Sequence, residues 1–109
     1  METTDIRKFQ SRTLEAVRVL AFFKAKPGRG KELEKILQTL VALTRSELGN
    51  IAYVLHRSTT SPDALFFDEM FVSMEAFEEH TQKPYIKSLM SKIGHLVDVS
   101  LRVETYSEV

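Results

Sequence analysis

Glu69 is the most unusual residue of this 109-residue chain, because it lies within a segment that is otherwise typical of a buried strand. Side chains alternate along a strand, so Glu69 is expected to share one face with Leu65, Phe67 and Phe71. Burying an unpaired carboxylate costs on the order of several kcal/mol, so this group must be paired, hydrogen-bonded or protonated. Buried ionisable groups of this kind are candidates for chemistry.

His80 follows on the next predicted helix, where a short strand-to-helix connection can bring it beside Glu69. Histidine titrates near neutral pH and is well suited to act as a general base. We therefore predict that His80 removes a proton from a substrate and that Glu69 orients the imidazole and stabilises its charged form. A purely structural role stays open for both residues, as satisfied polar groups between helix and sheet.

The predicted surroundings of this pair are aromatic. Phe71, Phe77 and Tyr85 are expected to roof an apolar pocket between the sheet and the helices. Asn50 and Tyr53 are expected to add polar groups from the second strand, which makes five predicted substrate-binding residues. Tyr85 has an alternative role in packing. Asn50 has an alternative role in a turn, because asparagine tolerates turn geometry.

Strands and helices in a recognisable order must hold these residues. Runs rich in β-branched and aromatic residues predict strands at 16–25, 51–58, 64–72 and 99–106. Apolar residues at three- and four-residue spacing predict a helix from Gly30 to Leu48, with Gly49 as its C-terminal cap. Ser73 is placed to cap a short second helix, and Pro84 to begin a third.

The resulting order, β-α-β-β-α-β with the second helical region broken at Pro84, is the ferredoxin-like α+β arrangement. In that arrangement the helices cover one face of an antiparallel sheet. We predict a single domain over residues 16–109, preceded by a polar arm at 1–15 that is either mobile or docked on a neighbour. Leu20, Phe22, Phe66 and Met70 would make the second face apolar as well, and an uncovered apolar face predicts a homodimer through sheet-to-sheet packing.

Composition argues against several classes of protein. Fifteen basic and fifteen acidic side chains cancel, so neither nucleic acid nor an anionic membrane surface is expected as a partner. The absence of cysteine excludes disulfides and thiolate sites. The three histidines lack metal-ligand spacing, and no glycine-rich phosphate loop occurs, so no metal or cofactor is expected. With no signal-peptide pattern or apolar membrane span, a cytoplasmic protein is expected.

The ordered motifs resemble the antibiotic biosynthesis monooxygenase family. That family has a strand ending in Glu-x-aromatic, then a helix with Ala-aromatic-x-x-His, then a proline that opens the next helix. The matching residues here are Glu69, Phe71, Ala76, Phe77, His80 and Pro84. The resemblance extends to Lys26-Pro27-Gly28 and to residues 49–53, and covers about residues 16–106. Many members carry Trp at the position of Phe71 and His at that of Tyr85.

The resemblance implies a dimeric α+β barrel and a cofactor-independent oxidation of a small aromatic quinol or anthrone by dioxygen. The family also contains an isomerase of a phosphorylated autoinducer, whose substrate would need cationic donors. Arg45, Arg57 and Lys87 are the candidates for that role. A small-molecule-binding dimer without catalysis is the third interpretation.

Overall fold

The computed structural model describes residues 15–98 and 101–109. The elements follow the predicted order: β1 (Val17–Lys24), α1 (Gly30–Arg45), β2 (Asn50–Arg57), β3 (Ala64–Phe71), α2 (Met74–Thr81), α3 (Pro84–Ile93) and β4 (Arg102–Ser107). The predicted arm, apart from its last residue, lies outside the described residues. The predicted start of the last strand at 99 lies outside them too.

The four strands form one antiparallel sheet in the order β2-β3-β1-β4. This is the ferredoxin-like arrangement, so the predicted fold class is confirmed. In the register of the sheet, Glu69 on β3 lies between Val19 on β1 and Tyr53 on β2. Glu69 is therefore placed on a central strand, away from both edges of the sheet.

The two faces of the sheet differ in what covers them. Side chains of α1 and α3 pack against one face to form the main core, with Leu33, Leu37 and Leu40 from α1 and Ile86, Leu89 and Ile93 from α3. The residues of β1 and β3 on that face are buried, as the alternation predicted. The opposite face, here called the open face, carries the half-buried side chains of Leu20, Phe22, Phe66 and Met70.

An aromatic row crosses the open face. Phe22 stacks on Phe66 with 5.6 Å between the ring centroids, and Phe66 stacks on His56 at 4.8 Å. The guanidinium of Arg102 lies 4.1 Å from the centroid of the Phe22 ring, at the distance of a cation–π contact. The row therefore draws one residue from each of the four strands.

A β-bulge interrupts the pairing at the start of β2. Asn50 pairs with Phe71, and Ala52 pairs with Met70, the preceding residue of β3. Ile51 is therefore an extra residue without a counterpart on β3, as in bulges generally. The side-chain nitrogen Nδ2 of Asn50 donates to the carbonyl oxygens of Ala52 at 2.9 Å and Met70 at 3.2 Å. These two hydrogen bonds hold the bulge.

The end of α1 differs from the prediction. The helix ends at Arg45, and Ser46 is its C-terminal cap in a right-handed helical conformation, so the assignment of Gly49 as the cap is wrong. Leu48, which was expected on the apolar face, is fully exposed. The reason is that tight turns replace the helix: the Glu47 amide donates to the Thr44 carbonyl at 3.0 Å and thereby redirects the chain.

Gly49 is required for a close approach between this connection and α2. A Cβ atom built at Gly49 would lie 2.5 Å from the Cβ of Ala76, the third residue of α2. The start of α2 is itself held by Ser73, whose hydroxyl oxygen accepts a hydrogen bond from the Ala76 amide at 3.1 Å, as predicted for this cap. The absence of a side chain at position 49 therefore lets the α1–β2 connection lie against α2.

Replacing Gly49 with Ala should lower the free energy of unfolding by about 1–3 kcal/mol, because the added methyl group collides with Ala76. Urea unfolding measures the loss. Gly94→Ala is the matched control, since nothing lies within 4 Å of a Cβ at that helix end. The free energy of unfolding of the double variant Gly49→Ala/Ala76→Gly should fall by less than the sum of the losses in the two single variants. Strictly additive losses would contradict the proposed collision.

Candidate functional site

His80 is enclosed by aromatic rings between the sheet and the helices. Its ring centroid lies 5.1 Å from that of Phe71, 5.5 Å from that of Tyr53 and 6.3 Å from that of Phe77. The residue is only 4% exposed, although it stands in the last turn of α2. The imidazole is therefore surrounded by three of the aromatic rings that the sequence analysis named.

A carboxylate that sequence reasoning did not identify binds the imidazole. Oε2 of Glu47 lies 3.0 Å from Nδ1 of His80, and the two side chains are only 8% and 5% exposed. Tyr85, in the first turn of α3, donates its hydroxyl hydrogen to the same oxygen. Burial, followed by this hydrogen bond, raises the pKa of Tyr85 above its ordinary range. One carboxylate therefore ties together the α1–β2 connection, α2 and α3.

Glu69 lies on the other side of the imidazole. Its Oε1 is 3.9 Å from Nε2 of His80, beyond hydrogen-bonding distance, and has no partner among the residues that the structure describes. The residue is 3% exposed. Burial, followed by repulsion from Glu47 and then Asp68, raises the pKa of Glu69 to about 8. The structure thus brings the two predicted residues together, with Glu69 protonated at neutral pH.

Tyr53 continues the enclosure beside Glu69. Its ring stacks on Phe67 with 4.3 Å between centroids, and the residue is buried. Burial, followed by the neighbouring Glu69, raises the pKa of the Tyr53 hydroxyl. Thr44 on α1 is also fully buried, and its side chain opposes the rise in the pKa of Tyr53, although its Oγ1 makes no hydrogen bond of normal geometry within the described part of the chain. Unpartnered buried oxygens are uncommon in folded proteins, so Thr44 and Glu69 both have capacity to bind a polar group.

Of the other predicted substrate-binding residues, two lie beside His80 and one holds the backbone of the bulge. Phe77 and Tyr85 are half-buried and form the outer wall beside His80. Asn50 uses its amide on backbone carbonyls of the bulge, which is the turn-like role that its alternative assignment described. Of the cations considered, Arg57 pairs with Glu34 at 2.7 Å and Arg45 donates to the Tyr53 carbonyl at 3.1 Å.

A separate surface cleft lies at one end of the open face. It encloses about 660 Å³ and is lined by Phe22, Phe66 and Arg102, among others, but by neither His80 nor Glu69. Within residues 15–98 and 101–109, no group of three His, Asp or Glu side chains is arranged to hold a metal ion. None of the helices in these ranges is long and apolar enough to cross a membrane.

The protein is a small α+β domain in which a buried histidine and two carboxyl groups lie between a ferredoxin-like sheet and its helices. The chain belongs to the antibiotic biosynthesis monooxygenase family, whose sequence profile matches residues 16–92.

Individual proteins are similar to this chain in sequence and in structure. Protein SO0527 from Shewanella oneidensis has a similar crystal structure, with a TM-score of 0.82, 34% identity, and coverage of 87% of this chain and 92% of that one. Rv0793 from Mycobacterium tuberculosis, whose name describes a candidate monooxygenase, is 28% identical over 81 residues, which are 74% of this chain and 79% of that protein. Its structure matches with a TM-score of 0.80 at 26% identity, covering 86% of this chain and 95% of that one.

The uncharacterised protein sll1783 from Synechocystis is 28% identical over 83 residues, or 76% of this chain. The match spans only 56% of that longer protein.

Glu69 should make the stability of the protein depend on pH. Its pKa is about 8 in the folded protein and 4.5 in its ordinary state, so the folded protein retains a proton that the unfolded chain releases between these values. The free energy of unfolding therefore falls as the pH rises from about 4.5 to about 8.

Glu69→Gln, which stays neutral, should remove this loss, on the order of a few kcal/mol. Urea unfolding at about pH 5 and pH 9 compares the variant with the parent protein. Glu78→Gln, at an exposed position on the same helix as His80, is the control. An equal loss in the parent protein and Glu69→Gln would show that another group is responsible.

Proposed function

We propose that the protein is a cofactor-independent monooxygenase that oxidises a small aromatic quinol or anthrone with dioxygen. The observation that carries the proposal is the position of His80, whose imidazole is held at Nδ1 by Glu47 and faces Glu69 with Nε2, inside an aromatic enclosure. Membership of a monooxygenase family supports the reaction type. The chemistry needs a base, an apolar site for the aromatic ring and access for dioxygen.

The reaction begins with proton removal by Nε2 of His80 from a phenolic or benzylic position of the substrate. The resulting anion transfers one electron to dioxygen, and the two radicals combine to form a peroxide. With an anthrone, loss of the second hydrogen and cleavage of the O–O bond turn the CH₂ group into a carbonyl. One oxygen atom of O₂ stays in the product and the other leaves as water, so one O₂ is consumed for each substrate molecule.

Glu69 complements the base in this scheme. It is a neutral carboxyl group at neutral pH, and its Oε1 lies 3.9 Å from Nε2 of His80. When His80 accepts the substrate proton, the positive imidazolium favours ionisation of the neighbouring carboxyl group, which in turn stabilises the charged ring. The proton of Glu69 is then available to the oxygen atom that leaves as water. Two titratable groups with different environments divide acid and base roles in this way in other enzymes.

The substrate ring would occupy the space among Phe71, Phe77 and Tyr85. Phe77 and Tyr85 are the half-buried members of this group, so we propose that the substrate enters between α2 and α3 by displacing them. Thr44 Oγ1, unpartnered among the described residues, and the Tyr53 hydroxyl would serve the polar groups of the substrate. The isomerase alternative is less well supported, because Arg45 and Arg57 are engaged with the Tyr53 carbonyl and Glu34.

We also propose that the protein acts as a homodimer in which two open faces pack together. Phe22 and Phe66 stack at the centre of this face, and Leu20 and Met70 lie beside them, all half-buried in the single chain. Apolar surfaces of this kind are found at protein interfaces. Packing sheet against sheet would bury them and leave the helices and the His80 enclosure on the outside of each subunit.

The function is tested by oxygen uptake with a panel of quinols and anthrones, against heat-denatured protein. His80→Ala should lower turnover by about 10²- to 10⁴-fold, the usual contribution of a positioned base. His95→Ala, at an exposed position after α3, should retain full turnover. With ¹⁸O₂, one labelled atom should appear in an anthraquinone product. Ligand-dependent thermal stabilisation without oxygen uptake would instead indicate a binding protein.

The assembly is tested by light scattering at low micromolar concentration, where the parent protein should have twice the mass of one chain. Phe66→Glu places a charge within the aromatic row of the open face and should give monomers. Met90→Glu, which introduces the same charged residue at an exposed position on α3, should remain dimeric. A monomeric parent protein would contradict the proposed assembly.

A further inference from the structure

We infer that Glu47 is the positioning residue of the His80 base: its carboxylate fixes the imidazole hydrogen on Nδ1, so that Nε2 is left to accept the substrate proton. The catalytic consequence rests on the function proposed above, whereas the hydrogen bond and the tautomer do not depend on any substrate. Glu47 itself does not touch the place where the substrate would react, because it binds the opposite nitrogen of the ring.

The tautomer follows from the donors and acceptors around Glu47. A neutral imidazole carries one hydrogen, on either Nδ1 or Nε2. The Tyr85 hydroxyl, whose pKa is raised, keeps its hydrogen and donates it to Oε2 of Glu47. The same oxygen lies 3.0 Å from Nδ1 of His80, and the oxygens of a carboxylate group are hydrogen-bond acceptors. Nδ1 must therefore be the donor, and Nε2 is the free base.

Glu47 is itself held in place, as a positioning residue must be. Its backbone amide donates to the Thr44 carbonyl at 3.0 Å, and its carbonyl accepts from the Asn50 amide at 3.1 Å. The close approach of Gly49 to Ala76 sets the distance between this connection and α2. Tyr85 holds the carboxylate from a third element. The acceptor for Nδ1 thus has little freedom to move away from the ring.

Replacing the carboxylate with an amide separates this role from a purely structural one. The side chain of Gln has nearly the same shape as that of Glu, but its NH₂ group can donate to Nδ1 and so stabilise the tautomer with hydrogen on Nε2. That tautomer cannot accept the substrate proton at Nε2. In the serine protease triad, the corresponding carboxylate-to-amide change lowers turnover about 10⁴-fold by this route.

The direct test is ¹⁵N NMR of the protein labelled at histidine nitrogens, with His56→Ala and His95→Ala used to assign the three rings. In the parent protein, neutral His80 should carry its hydrogen on Nδ1. Glu47→Gln should shift the population toward hydrogen on Nε2, and Tyr85→Phe should keep it on Nδ1. Glu79→Gln, an exposed carboxylate beside His80 on α2, should change nothing. Hydrogen on Nε2 in the parent protein would overturn the inference, even if no variant folds.

Kinetics provide the second readout. With a substrate that the parent protein oxidises, Glu47→Gln should lower kcat about 10²- to 10⁴-fold while KM changes only a few-fold. Glu47→Asp keeps a carboxylate acceptor, but its shorter side chain moves that acceptor away from Nδ1. Its kcat should therefore fall less than that of Glu47→Gln. Unchanged kcat in a folded Glu47→Gln variant would overturn the inference. If the parent protein oxidises no substrate, the proposed function fails, while the NMR result still decides the role of Glu47.

Discussion

The hydrogen bond between Glu47 and His80 is the constraint on which the rest of the site depends. Two carboxyl groups and an imidazole are buried side by side under the sheet, where an isolated charge would be costly. The imidazole hydrogen-bonds to Glu47 at 3.0 Å, whereas Glu69 lies 3.9 Å from its other nitrogen, beyond hydrogen-bonding distance. The second group, Glu69, is then left without a partner among the described residues and takes up a proton instead. The carboxyl group without a hydrogen-bond partner in the described part of the chain is thus the one whose pKa is raised.

The orientation of the imidazole depends on contacts among three short segments: α2, the start of α3 and the α1–β2 connection. α2 has eight residues. Ser73 caps its N-terminal end, and α3 begins at Pro84, shortly after its C-terminal end. The α1–β2 connection reaches it because Gly49 allows contact with Ala76. The position of the imidazole between the two carboxyl groups is therefore a product of packing between short segments.

The features that the sequence predicts correctly are those encoded locally. The order of elements, the Ser73 cap, the helix start at Pro84 and the alternation along β1 and β3 follow from period, capping chemistry and proline geometry. The proximity of Glu69 and His80 also follows, because only a short connection separates their elements. Glu47 could not be found this way, because the predicted helix ran through it and the turn that redirects it is stabilised by a contact with α2, distant in sequence. The sequence shows a glycine two residues after Glu47, but the contact of that glycine with α2 is visible only in the structure.

The bulge at Ile51 has a consequence for comparing this chain with its relatives. Strict alternation would put Asn50 and Tyr53 on opposite faces, yet they pair with Phe71 and Glu69, which share the helix-covered face. The extra residue of the bulge, Ile51, shifts the alternation by one position and so brings Asn50 and Tyr53 to the same face. Ile51 is 54% exposed. A homologue one residue shorter at this point could form a regular ladder and still present the same side chains to the helices. An alignment without a gap there would shift the upstream segment, including Glu47, by one position, so gains and losses of this carboxylate among relatives should be judged from superposed backbones.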